Sequence, residues 1–247
     1  MDTKRIYIFG LIMTVVVALV LAGFRTLTAE AAARNEDIFN KREILATLAK
    51  PLAAAGNPVA SLTDEEVLAI FDDQVTEIVV NSAGEPVEGV GVADIDLAAE
   101  LKKPEAQRRY PINRFEIDGD SYYVFSVRGN GLWDAIWGNI ALASDLNTVI
   151  GASFDHAGET PGLGAEIKDN AGWKAQFEGK QIYDGDQFVS ILVRKGGAVD
   201  LDHEVDGLSG ATVTADGVTK MLYNGLKAYQ PYIEEQREGT TTSMNLK

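Results

Sequence analysis

From Ile6 to Phe24 the chain reads IYIFGLIMTVVVALVLAGF, a run without a single charge, preceded by Lys4-Arg5 and followed by Arg25. A helix needs about 20 such residues to cross the roughly 30 Å hydrocarbon core. Inside that core it satisfies its backbone N–H and C=O groups within itself. The run therefore predicts a single transmembrane anchor over residues 1–25. Basic residues at its start favour a cytoplasmic N-terminus, so the rest of the chain is expected on the periplasmic side of the inner membrane. A cleaved signal peptide is the competing reading, because Ala29-Glu30-Ala31 and Ala31-Ala32-Ala33 both fit a small-x-small rule. The run is longer than the roughly 7–15 residues of a signal core, and those sites lie several residues beyond it, which favours an uncleaved anchor. Both readings put the body outside the cytoplasm.

The body has material for a real core, since 46% of the 247 residues are hydrophobic. A net charge of -15 repels nucleic acid and anionic headgroups, so nucleic-acid binding is not expected. The chain has no cysteine, which removes disulfides, Cys-ligated zinc, iron–sulfur clusters and thiol nucleophiles. Redox chemistry in such a chain needs an organic cofactor. His156 and His203 have no ligand-spaced partners, so no metal site is expected.

Residues Ala29 to Leu48 carry Ile38, Leu45 and Leu48 at helical spacing, which predicts a helix ended by Pro51, with Pro51 to Pro58 as a linker. The expected organisation is an anchor (1–25), a helical stalk and linker (26–58) and an extracytoplasmic domain (59–247). Thr63-Asp64-Glu65-Glu66 is a capping box before Val67, Leu68, Ile70 and Phe71. VTEIVVN (Val75 to Asn81) followed by Ser82-Ala83-Gly84-Glu85-Pro86 suggests a hairpin returning through Val87 to Val92. Asp118-Gly119-Asp120 leads into SYYVFSVRG, and Asp184-Gly185-Asp186 into QFVSILVRKG. Hairpin chemistry explains this likeness without a duplication. TVIGASFD (Thr148 to Asp155) is a further strand, and Trp173 and Phe177 share a short helix. Val218, Met221, Leu222, Leu226, Tyr229 and Ile233 form the apolar stripe of a closing helix. This mixed order predicts an α+β fold.

Directly before the closing helix stands Asp206-Gly207-Leu208-Ser209-Gly210-Ala211-Thr212-Val213-Thr214. A hydroxyl-rich, small-residue loop entering a helix N-terminus favours a bound phosphate, because free N–H groups and the helix dipole meet there. A plain N-cap uses the same residue types. The nine residues match the pattern Asp-x-x-(Ser/Thr)-Gly-Ala-(Thr/Ser)-x-Thr in full, and on them the chain resembles the covalent FMN-binding domain family of bacterial respiratory complexes. The resemblance extends to the anchor, to Asn40-Lys41-Arg42-Glu43-Ile44-Leu45, to Gly131-Leu132-Trp133, and to His156-Ala157-Gly158-Glu159-Thr160-Pro161-Gly162-Leu163-Gly164. Element order and length are most similar to the C subunits of sodium-translocating NADH:quinone reductases, with the G subunits of Rnf-type complexes next.

The resemblance implies FMN as the sole cofactor, joined through its phosphate to the hydroxyl of Thr214, with Ser209, Gly210, Ala211 and Thr212 around the attachment point. It implies a flavin transferase that uses FAD and Mg2+ and releases AMP. It also implies other membrane subunits as partners, and a role in electron relay without catalytic residues of its own. Thr160 would bond the pyrimidine edge and Leu163 would pack on the ring, in a loop closed by Gly164; the bland reading of that loop is a Pro-Gly turn. Trp133 is a candidate for the same pocket or, equally, a core tryptophan. No Gly-x-Gly-x-x-Gly stands between a strand and a helix, so NADH is expected to bind another subunit. Two rivals remain. Gly207-Leu208-Ser209-Gly210-Ala211 departs from a hydrolase elbow at its fifth residue and in the order of its histidines. A non-catalytic extracytoplasmic binding module would use the loop as a cap alone.

Overall fold

The computed structural model of the chain describes residues 3–244, with side chains as far as Glu238. The chain divides into two compact units between Lys41 and Arg42. Helix α1 spans Thr3–Ala46. In the first unit it is a bare helix whose apolar side chains, among them Leu11, Leu19, Leu21 and Phe24, are exposed all round. It is the one described helix long and apolar enough to cross a membrane.

The second unit begins with the last turn of α1, where the Thr47 hydroxyl and N–H both close onto the Ile44 carbonyl. Helix α2 (Ala49–Ala54) follows at once. Pro51, read from sequence as a helix terminator, sits in the first turn of α2, where its missing N–H has no intrahelical partner to lose. The expected linker is thus partly helical. Leu45, Leu48 and Leu52 are all fully buried, clustered with Val67, Ile70, Phe71, Phe115, Ile117 and Val124.

Helix α3 (Asp64–Gln74) starts with the complete capping box on Thr63 and Glu66 and runs directly into strand β1 (Val75–Asn81). The one-turn helix α4 spans Leu97–Glu100. Strands β2 (Arg109–Ile117), β3 (Asp120–Asn130), β4 (Ala135–Leu142) and β5 (Val149–His156) then form, with β1, a five-stranded antiparallel sheet in sequence order. The Asp118-Gly119 hairpin between β2 and β3 is as expected, with φ of 53° and 91°, the positive values a tight two-residue turn needs. The expected return strand over Val87 to Val92 does not form. After the turn that segment touches β1 through the Val80–Pro86 bridge and the Val87 N–H to Val79 carbonyl bond. The partner of β1 is β2, which pairs with it along its whole length from Val75–Phe115 to Asn81–Arg109.

Beyond the sheet come α5 (Glu166–Asp169) and α6 (Ala171–Lys174), then β6 (Tyr183–Asp184), β7 (Gln187–Phe188), β8 (Leu192–Arg194) and β9 (Glu204–Asp206). The expected single strand QFVSILVRKG breaks at Ser190, where φ is 63°. Its first part pairs with β6 and its second runs parallel to β9. Trp173, at the end of α6, and Phe177 pack on Phe154 of β5.

Helix α7 (Thr212–Met244) closes the unit across β3. Val218, Met221, Leu222, Leu226, Tyr229 and Ile233 are all buried in the larger core with Ile112, Phe125, Val127, Ile136 and Ile140. Each such side chain removed from water contributes about 1.5–3 kcal/mol. Three glycines bring helix and strand close. A Cβ on Gly129 would lie 2.8 Å from Met221 Cβ, one on Gly225 would lie 2.6 Å from Val127, and one on Gly217 would strike the Asn130 carbonyl. The α+β architecture with a largely antiparallel sheet and an N-terminal apolar helix agrees with the sequence reading.

Candidate functional site

Three segments converge at one end of the sheet. The first, Gly131 to Asp134, joins β3 to β4. The second, Ala157 to Ala165, follows β5. The third, Asp206 to Ala211, leads into α7. The first two belong to adjacent strands whose Ile136–His156 pairing holds them together, and the third is placed by the packing of α7 on β3.

Thr214 is the third residue of α7 and is completely buried. Its Oγ1 lies 2.6 Å from Glu159 Oε2 and 3.1 Å from the Leu163 carbonyl oxygen, so its single hydrogen has two acceptors. Glu159 is 5% exposed. Its other oxygen, Oε1, accepts the backbone N–H groups of Trp133 at 2.9 Å and Asp134 at 3.3 Å. Burial pushes the Glu159 carboxyl upward, but the Thr214 hydroxyl and the N–H groups of the 131–134 loop outweigh it and hold the group below the usual carboxylate range.

The loop over Thr214 is fixed at both ends. The Glu159 N–H donates to His156 Nδ1 at 3.1 Å. Further along, Glu166 accepts the N–H groups of Gly162 and Gly164. Gly164 has φ of 148°, and a Cβ there would be 2.7 Å from Thr214 Cβ and nearer still to its Oγ1. Gly210, with φ of 81°, presses on the same loop, since a Cβ on it would meet the Gly162 carbonyl oxygen at 2.5 Å. Both positions demand glycine for conformation and for space.

The hydroxyls of the 206–214 segment divide between two sides. Ser209, Gly210 and Thr212 line a cavity of about 460 Å³ together with Lys195, Asp206 and Asp216, whereas Thr214 is not among its lining residues. Ala211 is buried, and its carbonyl accepts the Ala215 N–H in the first turn of α7. Thr160 is exposed on the loop, and Leu163 is 41% exposed beside it. Trp133 is 67% exposed, which removes the core-tryptophan reading. The structure thus brings Trp133, Thr160, Leu163, Gly164 and Thr214 around one spot. Glu159, Glu166 and Gly131 complete that spot and had no assigned role in the sequence. An isolated acid within a Gly-Pro-rich loop was the available signal for Glu159. Its partner lies 55 residues away.

This sheet, loop and helix arrangement is that of an FMN-binding domain, and residues 131–227 match the family model described in those words. Over its length the chain is 31% identical to the C subunit of the Na(+)-translocating NADH-quinone reductase of Pseudomonas aeruginosa, covering 96% of this chain and 97% of that protein. It is 35% identical to the C subunit of the same reductase in Vibrio campbellii, covering 74% of this chain and 69% of that one. Among solved structures, the corresponding C subunit of Parabacteroides distasonis superposes with a TM-score of 0.70 at 34% identity, over 82% of this chain and 94% of that one. The Shewanella oneidensis NqrC structure gives 0.67 at 27% identity, over 84% and 99%. The chain belongs to the family of Na(+)-translocating NADH-quinone reductase C subunits.

Proposed function

We propose that this membrane-anchored subunit carries FMN through a phosphoester on Thr214, in a domain on the periplasmic side of the inner membrane, and relays electrons within the reductase. The observation that carries the reading is the position of Thr214. It is the last residue of the flavin-attachment pattern, and it lies under the loop bearing Thr160 and Leu163 and next to the loop bearing Trp133.

The residues fit such a group. Thr214 supplies the hydroxyl, while Trp133 and Leu163 offer exposed aromatic and aliphatic surface for a ring, and Thr160 a polar contact at its edge. Gly131 and Gly164 keep the space beside Glu159 and Thr214 free of side chains, since a Cβ at either would collide with Glu159. FMN, once bound, supplies the electron-accepting and electron-donating chemistry that a chain without cysteine lacks. The chain's own contribution is to hold the attachment point still and to orient the ring through the two loops. Sodium transport and quinone reduction belong to the assembled complex, whose other membrane subunits are the partners of this one, and the flavin is installed by a transferase.

Mass spectrometry of the peptide spanning Ser209 to Lys220 tests the reading. In protein made with the transferase present, that peptide is expected to carry the added mass of FMN less water, and the denatured protein to remain yellow. A bare peptide under those conditions refutes it.

A further inference from the structure

Glu159 does two things with its two oxygens. Oε1 is tied to the backbone of the β3–β4 loop through Trp133 and Asp134. Oε2 holds the Thr214 hydroxyl at 2.6 Å. A threonine hydroxyl is a weak nucleophile unless a base lies within hydrogen-bond reach, about 2.6–3.2 Å. Of the two acceptors near Thr214 Oγ1, the carboxylate is both closer and charged, and a charge-assisted bond of this kind is the stronger.

We propose that Glu159 is a catalytic residue for flavin attachment, the proton acceptor that activates Thr214; this rests on the reading of Thr214 as the attachment point. In the step, Thr214 Oγ1 attacks the FMN-side phosphorus of a flavin dinucleotide. The new bond is Oγ1–P, the bond broken joins that phosphorus to the bridging pyrophosphate oxygen, and AMP leaves with the electron pair. The hydroxyl proton passes to Glu159 Oε2. Nothing is oxidised or reduced. A carboxylate takes a hydroxyl proton as the O–P bond forms and the hydroxyl becomes acidic, which is ordinary general-base catalysis. The product diester carries one negative charge.

Access demands a movement. Thr214 is fully buried, and Gly164 lies against its side chain, so residues 160–164 lift before a phosphorus reaches Oγ1. Glu159 is anchored separately, by its N–H on His156 and its Oε1 on the β3–β4 loop. The base and the nucleophile therefore stay paired while the cover opens.

The test uses the full chain in detergent with flavin transferase, FAD and Mg2+, following the gain of FMN mass on the Thr214 peptide. Glu159→Gln keeps the shape. Its amide oxygen accepts from Trp133 and Asp134, while its NH2 donates to Thr214 Oγ1, whose hydrogen turns to Leu163. Expected is a fall in initial rate of about 100-fold or more in Glu159→Gln, with thermal stability close to wild type, and a faster rate in Glu159→Asp than in Glu159→Gln. A wild-type rate in Glu159→Gln overturns the proposal. A loss of rate matched by an equal loss of stability in both variants overturns it as well, because that marks a structural role. Wild-type protein that gains no mass at Thr214 refutes the attachment reading itself, and this inference with it.

Discussion

Gly164 lies so close over Thr214 that a Cβ on it would sit 2.7 Å from Thr214 Cβ. Gly162, two residues earlier, also has positive φ, 79°, yet a Cβ there would meet open space. The two positions separate conformational strain from steric conflict. Gly162→Ala is expected to cost about 1 kcal/mol through backbone strain alone. Gly164→Ala should cost about 2–4 kcal/mol, because overpacking adds to that strain. Urea denaturation of both variants checks the difference.

Thr214→Ala is expected to abolish the added FMN mass while leaving a folded protein. Removing the hydroxyl takes a donor away from Glu159 Oε2, so stability should fall by about 1–2 kcal/mol. Thermal melting beside mass spectrometry reads both. If the alanine variant keeps covalent flavin, Thr212 is the next acceptor to test.

Leu52 follows Pro51 in a stretch whose sequence suggests a linker, yet it is fully buried against α1, α3 and the sheet. Leu52→Ala should therefore destabilise the second unit by about 2–5 kcal/mol, the range for a core leucine. A surface linker would tolerate the change without measurable loss in a denaturation curve.

Glu100 is 2% exposed and accepts from Lys103, from the Arg109 side chain and from the Arg109 N–H. Burial pushes its carboxyl up, but these bonds outweigh burial and hold it below its ordinary value of 4.5. A carboxyl depressed in the folded state contributes stability above its unfolded pKa and loses it as pH falls through the folded one. Wild-type stability should therefore drop more steeply than that of Glu100→Gln from about pH 5 to pH 3. At neutral pH the variant should be weaker by about 1–3 kcal/mol. Melting temperatures across that range decide it.

Trp133 is two-thirds exposed and gives the site its backbone N–H. Trp133→Phe should leave stability within about 0.5 kcal/mol of wild type, since the N–H remains. In flavin-loaded protein it should also remove the tryptophan emission that the flavin quenches most strongly. Emission spectra before and after loading report this directly.

Local signals were readable from the chain without the structure. The Thr63–Glu66 capping box, the Asp118-Gly119 turn and the stripe on α7 each act within a few residues, and each stands where its pattern puts it. Pairings between distant segments were not. The choice of Arg109–Ile117 over Val87–Val92 as partner for β1, and the parallel meeting of β8 with β9, are settled by packing that no short window contains. The site divides the same way. Thr214, Ser209 and Thr212 stand together in one motif, but that Thr214 turns to a buried carboxylate while Ser209 and Thr212 line a separate cavity follows from tertiary structure. Pro51 misled because a proline stops a helix from within but is tolerated in a first turn.

The three glycines that set α7 down on β3 bear on how a redox group moves. Met221, Gly217 and Gly225 meet that strand at nearly backbone distance, so the helix has little freedom to slide or roll, and Thr214, one turn before Gly217, inherits the stiffness of the sheet. A flavin carried there, as proposed, would not travel on a swinging arm of protein. With FMN attached at Thr214 as proposed, reach toward a donor or an acceptor would come from the flexible ribityl chain of the flavin, or from motion of the whole second unit.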